Sequence, residues 1–525
     1  MPNHQRDARD TVADEAQIAA FSHPTTDPIA VHARLRPQAL ASVDLDTGRR
    51  WTYAALDVDI QRAVAVLSAE GISEGDRVAM LGRNSVFLLI LQHALMRMGA
   101  ILVPLNWRLT SLELGTLVAD CSPKIFYADG PAPPLPPECR SAELAALRTA
   151  VDAAAPARRL PPPSRLATCL LLYTSGTSGT PKGVRLTPQC LLATAVNLRV
   201  LIAIDSASVF LADSPMFHIL GLVIQIWGPL GAGGAVLIAP RFCPAATNRR
   251  LADAALRVTH YFCVPQMAEA LRAAAGFAPA RWTSLRAVFT GGAPNPPARI
   301  RWWLARGVLM VDGYGGTETG TVLGMPPARD AVEAKAGSVG APGPLTRVRI
   351  VDDRDVEVPR GTPGEIVVQG MNVTPGYWNK PAETRRAFTA DGWFRTGDIG
   401  RCDEDGFVFV VDRKKDMYIS GGENVYPVEV EAALVRHPGV REVAVIGVPD
   451  EEWGEVGRAF IVLEEGRRLT EGELGRHCRT LIAKYKVPNT FVFVENLPRT
   501  GSGKVKKHEL RTGKLSEIEG VLNGS

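Results

Sequence analysis

The chain has 525 residues, of which 46% are hydrophobic and 22% are charged, and its formal net charge is +4. This length is too great for one compact core, so two or more domains are expected. The basic residues are scattered and form no stripe, which argues against nucleic acid as the main partner and favours a small molecule.

The N-terminal segment and the cysteines indicate the compartment. Residues 1–17, MPNHQRDARDTVADEAQ, are polar and mix acids with bases, so they look like neither a secretory signal nor a transit peptide. The eight cysteines lie far apart and form no CxxC pair, which suits neither a zinc site nor a disulfide framework. We therefore expect a cytoplasmic protein in a reducing compartment.

The first part of the chain predicts an α/β unit. Residues 49–105 alternate helical and strand-like apolar patterns with glycine breaks, which is typical of a largely parallel sheet. Two proline clusters follow, at 131–137 (PAPPLPP) and 161–164 (PPPS). Because proline is excluded from helix interiors and central strands, we expect these clusters to bracket an exposed loop region.

A second α/β unit is predicted from Thr168 to about Leu345, where strands such as RAVFTGG again alternate with helices. It contains an uncharged segment, Ile219–Ala239, that is long enough to cross a bilayer. Five glycines, Pro229 and Gln225 interrupt this segment, and WGPLGAGG (227–234) is typical of a turn between a buried helix and a buried strand. We favour a core segment over a membrane span.

The last third of the chain changes character twice. Residues 346–370 hold short β-rich runs separated by turn residues, which predicts a small β unit. A charged knot at Asp412–Lys415 then leads from a strand into a helix, and we place the domain boundary there. The remaining residues predict a small α+β domain.

Tyr173–Val184, YTSGTSGTPKGV, is the densest cluster of small polar residues. Such a run can fold into a loop whose N–H groups and hydroxyls converge on a phosphate. It is not the P-loop GxxxxGK[ST], because Pro181 precedes Lys182 and Gly183 follows it. A strand pattern runs straight into it, which argues against a flexible linker.

The same segment resembles the phosphate-loop signature of the adenylate-forming superfamily, which includes acyl-CoA synthetases, nonribosomal adenylation domains and beetle luciferases. Further motifs of that superfamily follow in order: PMFH (215–218), GYGGTETG (313–320), FRTGDIG (394–400), DRKKDMYISGGENVYPVEVE (412–431) and PRTGSGKVKK (498–507). The resemblance runs from about Trp51 to Leu510. It implies an α/β fold with a large N-terminal domain (1–412) of two α/β subdomains plus a small β-barrel-like unit, followed by a small mobile α+β C-terminal domain (413–525).

The implied chemistry is attack of a carboxylate on the α-phosphorus of ATP, which crowds negative oxygens and needs cations and oriented donors. The resemblance implies that Thr317 contacts the phosphates and that Glu318 binds Mg²⁺, a hard cation that takes few protein carboxylates. It assigns the β and γ phosphates to the loop residues Thr174, Ser175, Gly176, Thr177, Ser178, Gly179, Thr180 and Lys182.

The resemblance also implies a nucleoside site. Tyr314 would stack on adenine, and Asp398 and Arg413 would bind the ribose hydroxyls. Outside the motifs, a core tyrosine and a surface ion pair would be the ordinary interpretations of these residues. The remaining residues implied around the nucleotide are Gly292, Ala293, Pro294, Asp312, Gly313 and Gly315.

Lys504 is implied to reach from the small domain to the acyl carboxylate and the α-phosphate. Lys506 and Lys507 have no such role, and we expect them to be solvated. In related enzymes the small domain then rotates to admit the CoA thiol, about a hinge that corresponds here to Lys415. Gly421 and Gly422 would line the pantetheine tunnel, and Trp453 would pack on pantetheine, although a core-edge aromatic is nearly as well supported.

The acid is only partly specified. His218 stands where amino-acid-activating relatives carry an aspartate that binds the substrate ammonium, so an α-amino acid is disfavoured. In acyl-CoA synthetases this histidine lies between the acyl pocket and the thiol tunnel; a satisfied core histidine is the alternative. The apolar Ile219, Leu220 and Val223, with space at Gly291, favour a fatty or aryl acid. Residues 217–234 contain no arginine or lysine, which disfavours a dicarboxylate.

The leading hypothesis is an ATP-dependent, AMP-forming acid–CoA ligase that uses Mg²⁺ and takes CoA as co-substrate. Other hypotheses stay open: an enzyme that transfers the acyl group to a carrier-protein phosphopantetheine or stops at acyl-AMP, and a nucleotide sensor without turnover. The motifs also do not exclude a luciferase-like oxidation. The expected partners are a small carboxylic acid, ATP and CoA, with a second copy of the chain as a possible homodimer partner. We expect neither nucleic acid nor integral membrane association.

Overall fold

The computed structural model describes most of the chain and, at Arg413, Glu423 and Asn424, only the backbone. The described residues are 27–158, 160–161, 163–174, 181–293, 295–413, 416–420, 423–450, 453–499 and 504–511.

A six-stranded sheet forms the centre of the first α/β subdomain. Its inner strands are buried apolar runs, as expected for parallel strands covered on both faces. All of its pairings are parallel except the last. In spatial order the strands are Arg140–Glu143, Ile125–Ala128, Arg77–Leu81, Ile101–Pro104, Leu170–Thr174 and Lys182–Leu186.

A nine-stranded mixed sheet forms the centre of the second subdomain. Its middle strands pair in parallel, and antiparallel strands close both edges. In spatial order the strands are Ala341–Pro342, Gly320–Gly324, Met310–Gly316, Ala287–Thr290, His260–Cys263, Val209–Ala212, Ala235–Ile238, Leu40–Asp44 and Arg50–Thr52.

Helices pack between these two sheets. Val86–Arg97 begins at Ser85, whose hydroxyl accepts a hydrogen bond from the Leu88 N–H, and its first eleven residues are all buried. A helix that is apolar on every side belongs in a core. The largest apolar cluster accordingly contains residues of both sheets together with this helix. The two subdomains therefore share one core.

The helices of the described chain are mostly short and often begin with proline, whose fixed φ suits the first turn. They are Pro28–Leu35, Tyr53–Ala69, Val86–Arg97, Ser111–Cys121, Leu144–Ala153, Pro188–Leu201, Gln225–Ala232, Pro244–Leu251, Pro265–Ala273, Pro297–Leu304, Arg329–Ala334, Pro381–Arg386, Pro427–Val435, Glu471–Arg479 and Lys507–Arg511, with a π-helix at Leu220–Ile224 and 3₁₀ turns at Pro279–Arg281 and Lys484–Lys486.

The small β unit is a four-stranded antiparallel sheet, with strands Thr346–Val351, Gly364–Gly370, Phe394–Cys402 and Val408–Arg413. The C-terminal α+β unit has a separate sheet, whose strands are Glu423–Val425, Tyr418–Ser420, Gly454–Leu463, Val440–Asp450 and Thr490–Phe493. The fold class predicted from the sequence is confirmed. The division after residue 412 stays a prediction, which the change of sheet between Arg413 and Tyr418 supports.

Two local predictions were wrong. The region between the proline clusters is not a plain loop: it holds a strand and the helix Leu144–Ala153, because Leu144, Leu147 and Val151 recur on one face and are buried. The stretch 227–234 is not all turn, since Trp227 to Ala232 continue a buried helix that contains Pro229. Within the described residues, no helix combines the length and apolar character needed to cross a bilayer.

Candidate active site

The phosphate-loop region is framed by two paired strands. Thr174 pairs with Lys182 in antiparallel register, so the strands Leu170–Thr174 and Lys182–Leu186 hold both ends of the loop between them. The Lys182 Nζ lies 2.7 Å from the Glu383 carboxylate and 5.0 Å from the centroid of the Tyr377 ring. The other predicted loop residues, Ser175, Gly176, Thr177, Ser178, Gly179 and Thr180, lie outside the described residues.

Glu318 and Thr317 lie in the turn of the hairpin Met310–Gly324. Gly315 is required there, because a Cβ on it would overlap the Gly320 carbonyl oxygen on the returning strand. The half-buried Glu318 carboxylate accepts a hydrogen bond from the Tyr377 hydroxyl at 3.2 Å. Burial raises the pKa of Glu318, and the nearby charges of Lys504 and Lys182 oppose that rise.

Those features fit a magnesium ligand. A partly desolvated carboxylate gains from a nearby cation, which favours its ionised form. Mg²⁺ commonly takes one or two carboxylates and leaves its other positions to water and substrate phosphates. Among the described residues, no group of three or more His, Cys, Asp or Glu could hold a metal ion. A single carboxylate near Lys182 and Lys504 therefore suits this metal better than one that needs a full protein cage.

The predicted nucleoside residues meet at the end of the same hairpin. The Tyr314 hydroxyl donates to Asp398 Oδ2 at 2.6 Å, which joins the predicted adenine and ribose residues. Asp398 pairs in backbone register with Arg413. A Cβ on Gly291 would lie 2.9 Å from the Gly313 carbonyl oxygen, so these two backbones approach closely. Gly292 and Ala293 follow on the same loop, and Pro294 lies outside the described residues.

Asp312 directly precedes Gly313 in the strand Met310–Gly316, and it is buried. Its buried carboxylate accepts hydrogen bonds from the Thr290 hydroxyl and, at 3.0 Å, from the Asn295 amide. Burial raises the pKa of Asp312 to about 6, although these two donors oppose the rise. The observed contacts are therefore with neighbouring strands and loops, and its predicted contact with nucleotide stays a prediction.

His218 lies within electrostatic range of two cationic side chains, Lys504 and Arg108. Its buried Nε2 has no hydrogen-bond partner among the residues that the structure describes. The rings of Phe217 and His218 are tilted, with centroids 4.6 Å apart. Burial lowers the pKa of His218 to about 4, and the positive charges of Lys504 and Arg108 add to that effect. The imidazole is consequently neutral at pH 7.

The predicted acyl pocket is only partly open. Ile219 and Leu220 are half-buried and pack on the main core, whereas Val223 is fully buried within it. Gly221 is required between them, because a Cβ there would overlap the carbonyl oxygens of Ser214 and Pro215.

The C-terminal segment supplies Lys504, whose charge reaches both His218 and Glu318. The prediction that Lys507 is solvated was wrong: its Nζ forms a 2.7 Å ion pair with Glu431, because the helix Lys507–Arg511 packs this side chain inward. Lys506 also has a partner, in Glu509.

Of the residues predicted for the hinge and the pantetheine tunnel, the structure describes Trp453, which is 46% exposed. Lys415, Gly421 and Gly422 lie outside the described residues.

The sequence interpretation missed three residues of the site. Tyr377 contacts Lys182 and Glu318, Glu383 contacts Lys182, and the Arg108 guanidinium lies 5.6 Å from the centroid of the Phe217 ring. Nothing local distinguishes them, because each comes from an element remote in sequence from its partner. Only the glycine before Tyr377, which predicts a turn, gave a partial signal.

Comparison with known proteins places these features in a family. Residues 29–378 match the model of the AMP-binding enzyme, and residues 429–504 match the model of its C-terminal domain.

Individual proteins with similar sequences agree with that match. The chain is 40% identical to a feruloyl-CoA synthase of an Amycolatopsis species over 489 residues, covering 91% of this chain and 96% of the relative. It is 36% identical to the long-chain-fatty-acid–CoA ligase FadD13 of Mycobacterium tuberculosis over 496 residues, covering 91% and 96%.

A solved structure gives the same result. The o-succinylbenzoate coenzyme A synthetase of Bacillus subtilis, in complex with ATP and magnesium ion, superposes with a TM-score of 0.81 at 30% identity, covering 92% of this chain and 98% of that one.

Proposed function

The chain belongs to the AMP-binding enzyme family, in which it is an AMP-forming acid–CoA ligase that uses ATP, Mg²⁺ and CoA, and we propose that its acid is an apolar fatty or aryl acid bound beside His218. The observation that carries this proposal is the buried His218 Nε2, which has no hydrogen-bond partner in the described chain. A buried polar atom without a partner is costly, and a bound acid or a water at this position would satisfy it.

The surroundings of His218 support an apolar acid. Phe217 packs against it, Ile219 and Leu220 are half-buried beside it, and residues 217–234 contain no charged side chain. Because the pKa of His218 is lowered to about 4, the imidazole beside the proposed acid is uncharged at pH 7. Feruloyl-CoA synthase and a long-chain-fatty-acid–CoA ligase are among the similar proteins, which is consistent with an aryl or a fatty acid.

The chemistry assigned to the site consists of two steps. In the first, a carboxylate oxygen of the acid bonds to the α-phosphorus while the bond to the β-phosphate oxygen breaks and pyrophosphate leaves. Lys504 is proposed to stabilise the charge that develops, with Lys182 and Thr317 on the other phosphates. Mg²⁺ held by Glu318 would supply further neutralisation of phosphate charge. In the second step the CoA thiol loses its proton to solvent and its sulfur bonds to the acyl carbon, while the bond from that carbon to the phosphate oxygen breaks and AMP leaves.

The placement of Lys504 supports the assignment of the observed position of the C-terminal unit to the first step. Its charge acts on both His218 and Glu318, so it lies within electrostatic range of the proposed acid site and of the proposed magnesium ligand. We infer that the C-terminal unit, residues 413–525, moves as a body about Lys415 before CoA enters, with Trp453, Gly421 and Gly422 on the pantetheine path. Exposure of Trp453 supports this, because a large exposed aromatic is available to pack on a ligand.

One observation favours a second class of acid. Arg83 and Arg108 both lie over the Trp107 ring, at 4.3 and 4.4 Å from its centroid, and Arg108 also lies over Phe217. Arg108 therefore lies near Phe217, next to the proposed acid site, although residues 217–234 themselves contain no arginine. An acid with a polar or anionic group at its far end would suit that guanidinium.

The test is release of pyrophosphate and AMP from ATP and Mg²⁺ with a panel of acids, each with and without CoA. The proposal predicts acid-dependent turnover with fatty or aryl acids, sustained only when CoA is present. Preference for acids with a distal carboxylate or sulfonate would favour the second class instead. An α-amino acid as the best substrate would contradict both.

Two wider predictions accompany this function. A homodimer is the proposed assembly, and light scattering of the purified protein measures its mass.

A reducing cytoplasm is the proposed location, which the eight cysteines support because none is disulfide-bonded.

A further inference from the structure

Tyr377 stands between the two parts of the phosphate site. Its hydroxyl donates a hydrogen bond to Glu318 Oε1 at 3.2 Å. The face of its ring lies 5.0 Å from the Lys182 Nζ, within the range of a cation–π interaction. One side chain therefore contacts both the proposed magnesium ligand and the proposed phosphate lysine.

The backbone of Tyr377 is tied to the strand that carries Lys182. Tyr377 forms an antiparallel bridge with Val184, and the Trp378 N–H donates to the Gly183 carbonyl at 2.8 Å. On its other side, the Tyr377 N–H donates to the Thr384 hydroxyl at 3.0 Å. These contacts fix where the ring can lie relative to the strand Lys182–Leu186.

A second contact limits Lys182. Its ammonium forms a 2.7 Å ion pair with Glu383, whose side chain is 28% exposed. A flexible lysine with a carboxylate on one side and open space on the other would have several arrangements. The Tyr377 ring removes some of them, because it occupies part of the space around the ammonium.

We propose that Tyr377 is a positioning residue of the nucleotide site, whose hydroxyl orients the Glu318 carboxylate for the cation and whose ring holds Lys182 for the phosphates. This inference rests on the roles proposed above for Glu318 and Lys182. The two contacts of Tyr377 are chemically separate. Substitution by phenylalanine keeps the ring and removes the hydroxyl, and substitution by leucine removes both. Each contact can consequently be removed in turn.

The experiment measures binding of a non-hydrolysable ATP analogue by calorimetry, across a range of Mg²⁺ concentrations and in chelator without Mg²⁺. For Tyr377→Phe, the Mg²⁺ concentration needed for half-maximal binding should rise about 3- to 10-fold, because the 3.2 Å hydrogen bond that orients the Glu318 carboxylate is lost. Affinity for the metal-free analogue should stay unchanged. For Tyr377→Leu, affinity for the metal-free analogue should also fall, by about 3- to 10-fold.

Tyr127→Phe is the matched control. The Tyr127 hydroxyl donates to Glu70 at 2.8 Å, so this variant loses the same kind of hydrogen bond, here between the six-stranded sheet and the end of the helix Tyr53–Ala69. It should bind the analogue as the unmodified protein does, with the same Mg²⁺ requirement. Thermal unfolding of every variant identifies any general loss of structure.

Two results would overturn the inference: an unchanged Mg²⁺ requirement in Tyr377→Phe, or an equal change in Tyr127→Phe. The first result together with a lower melting temperature would show that Tyr377 is a purely structural residue. Acid-dependent pyrophosphate release by the unmodified protein is measured separately. If that release is absent while Mg²⁺-dependent analogue binding is present, the proposed function fails and the inference about Tyr377 is still tested.

Discussion

His218 and His260 have the same lowered pKa and opposite surroundings. Burial brings the pKa of each to about 4. The His260 ring stacks between Phe210 and Phe289, at centroid distances of 4.6 and 5.5 Å, and its nitrogens lie 2.8 Å from the Thr259 hydroxyl and 3.4 Å from the Ile202 carbonyl.

His218 differs in its partners. Its Nε2 has none among the described residues, and the charges that reach it are those of Lys504 and Arg108. A lowered pKa therefore does not distinguish a core histidine from a site histidine in this protein. The two histidines differ instead in hydrogen bonding and nearby charge together, because of the two only His218 has a buried nitrogen without a partner in the described chain and two cations near it.

The largest expected effect is that of Lys504→Ala. Adenylation, measured as acid-dependent pyrophosphate release, should fall about 100- to 1,000-fold, since a charge aimed at the developing transition state is removed. In an NMR titration the pKa of His218 should rise while that of His260 stays the same, because the Lys504 charge lowers only the former. Lys506→Ala is the control, and an equal loss of activity in it would contradict the assignment.

Alanine at each histidine should separate activity from stability. His260→Ala should lower the free energy of unfolding by about 2–3 kcal/mol, because it removes a buried ring stacked between two others. His218→Ala should mainly reduce CoA-dependent turnover. Thermal unfolding and steady-state kinetics of both variants provide the measurement. The distinction between His218 as a site residue and His260 as a core residue is wrong if His218→Ala is the less stable variant and keeps full activity.

The pH dependence of stability should reflect His260. Its pKa is 6.5 in the unfolded chain and about 4 in the fold, so the unfolded chain binds the proton first as the pH falls. Its contribution to stability is complete above pH 6.5 and is lost between pH 6.5 and 4, at up to about 1.4 kcal/mol per pH unit. Unfolding of His260→Phe, followed from pH 7 to 4, should show a shallower decline. An unchanged slope would contradict burial of a neutral imidazole.

The smallest expected effect is that of Arg108→Gln. The pKa of His218 should rise slightly, because the charge of Arg108 contributes least among the three causes that lower it. Turnover of a fatty or aryl acid should change less than about threefold, as expected where an exposed charge contributes little. A larger loss confined to acids with a distal anionic group would show that Arg108 reads that end of the acid. Kinetics with paired acids of matched size make the comparison.

Motif positions allowed much of the site to be predicted. Lys182, Glu318, Tyr314, Asp398 and Lys504 all lie in short motifs, and the structure gathers Lys182, Glu318 and Lys504 around one region and joins Tyr314 to Asp398. Their roles toward ATP remain proposals.

The sequence by itself determined the layers of the fold, because alternating apolar periods specify parallel strands and covering helices wherever they occur. It could not determine which remote side chains meet. Tyr377 reaches Glu318 and Arg108 reaches Phe217 only after separate elements pack, and Lys507 leaves solvent only when its helix docks against Glu431. Contacts of this kind depend on tertiary packing, since a pattern along the chain records which face of an element is apolar and not which neighbour will cover it.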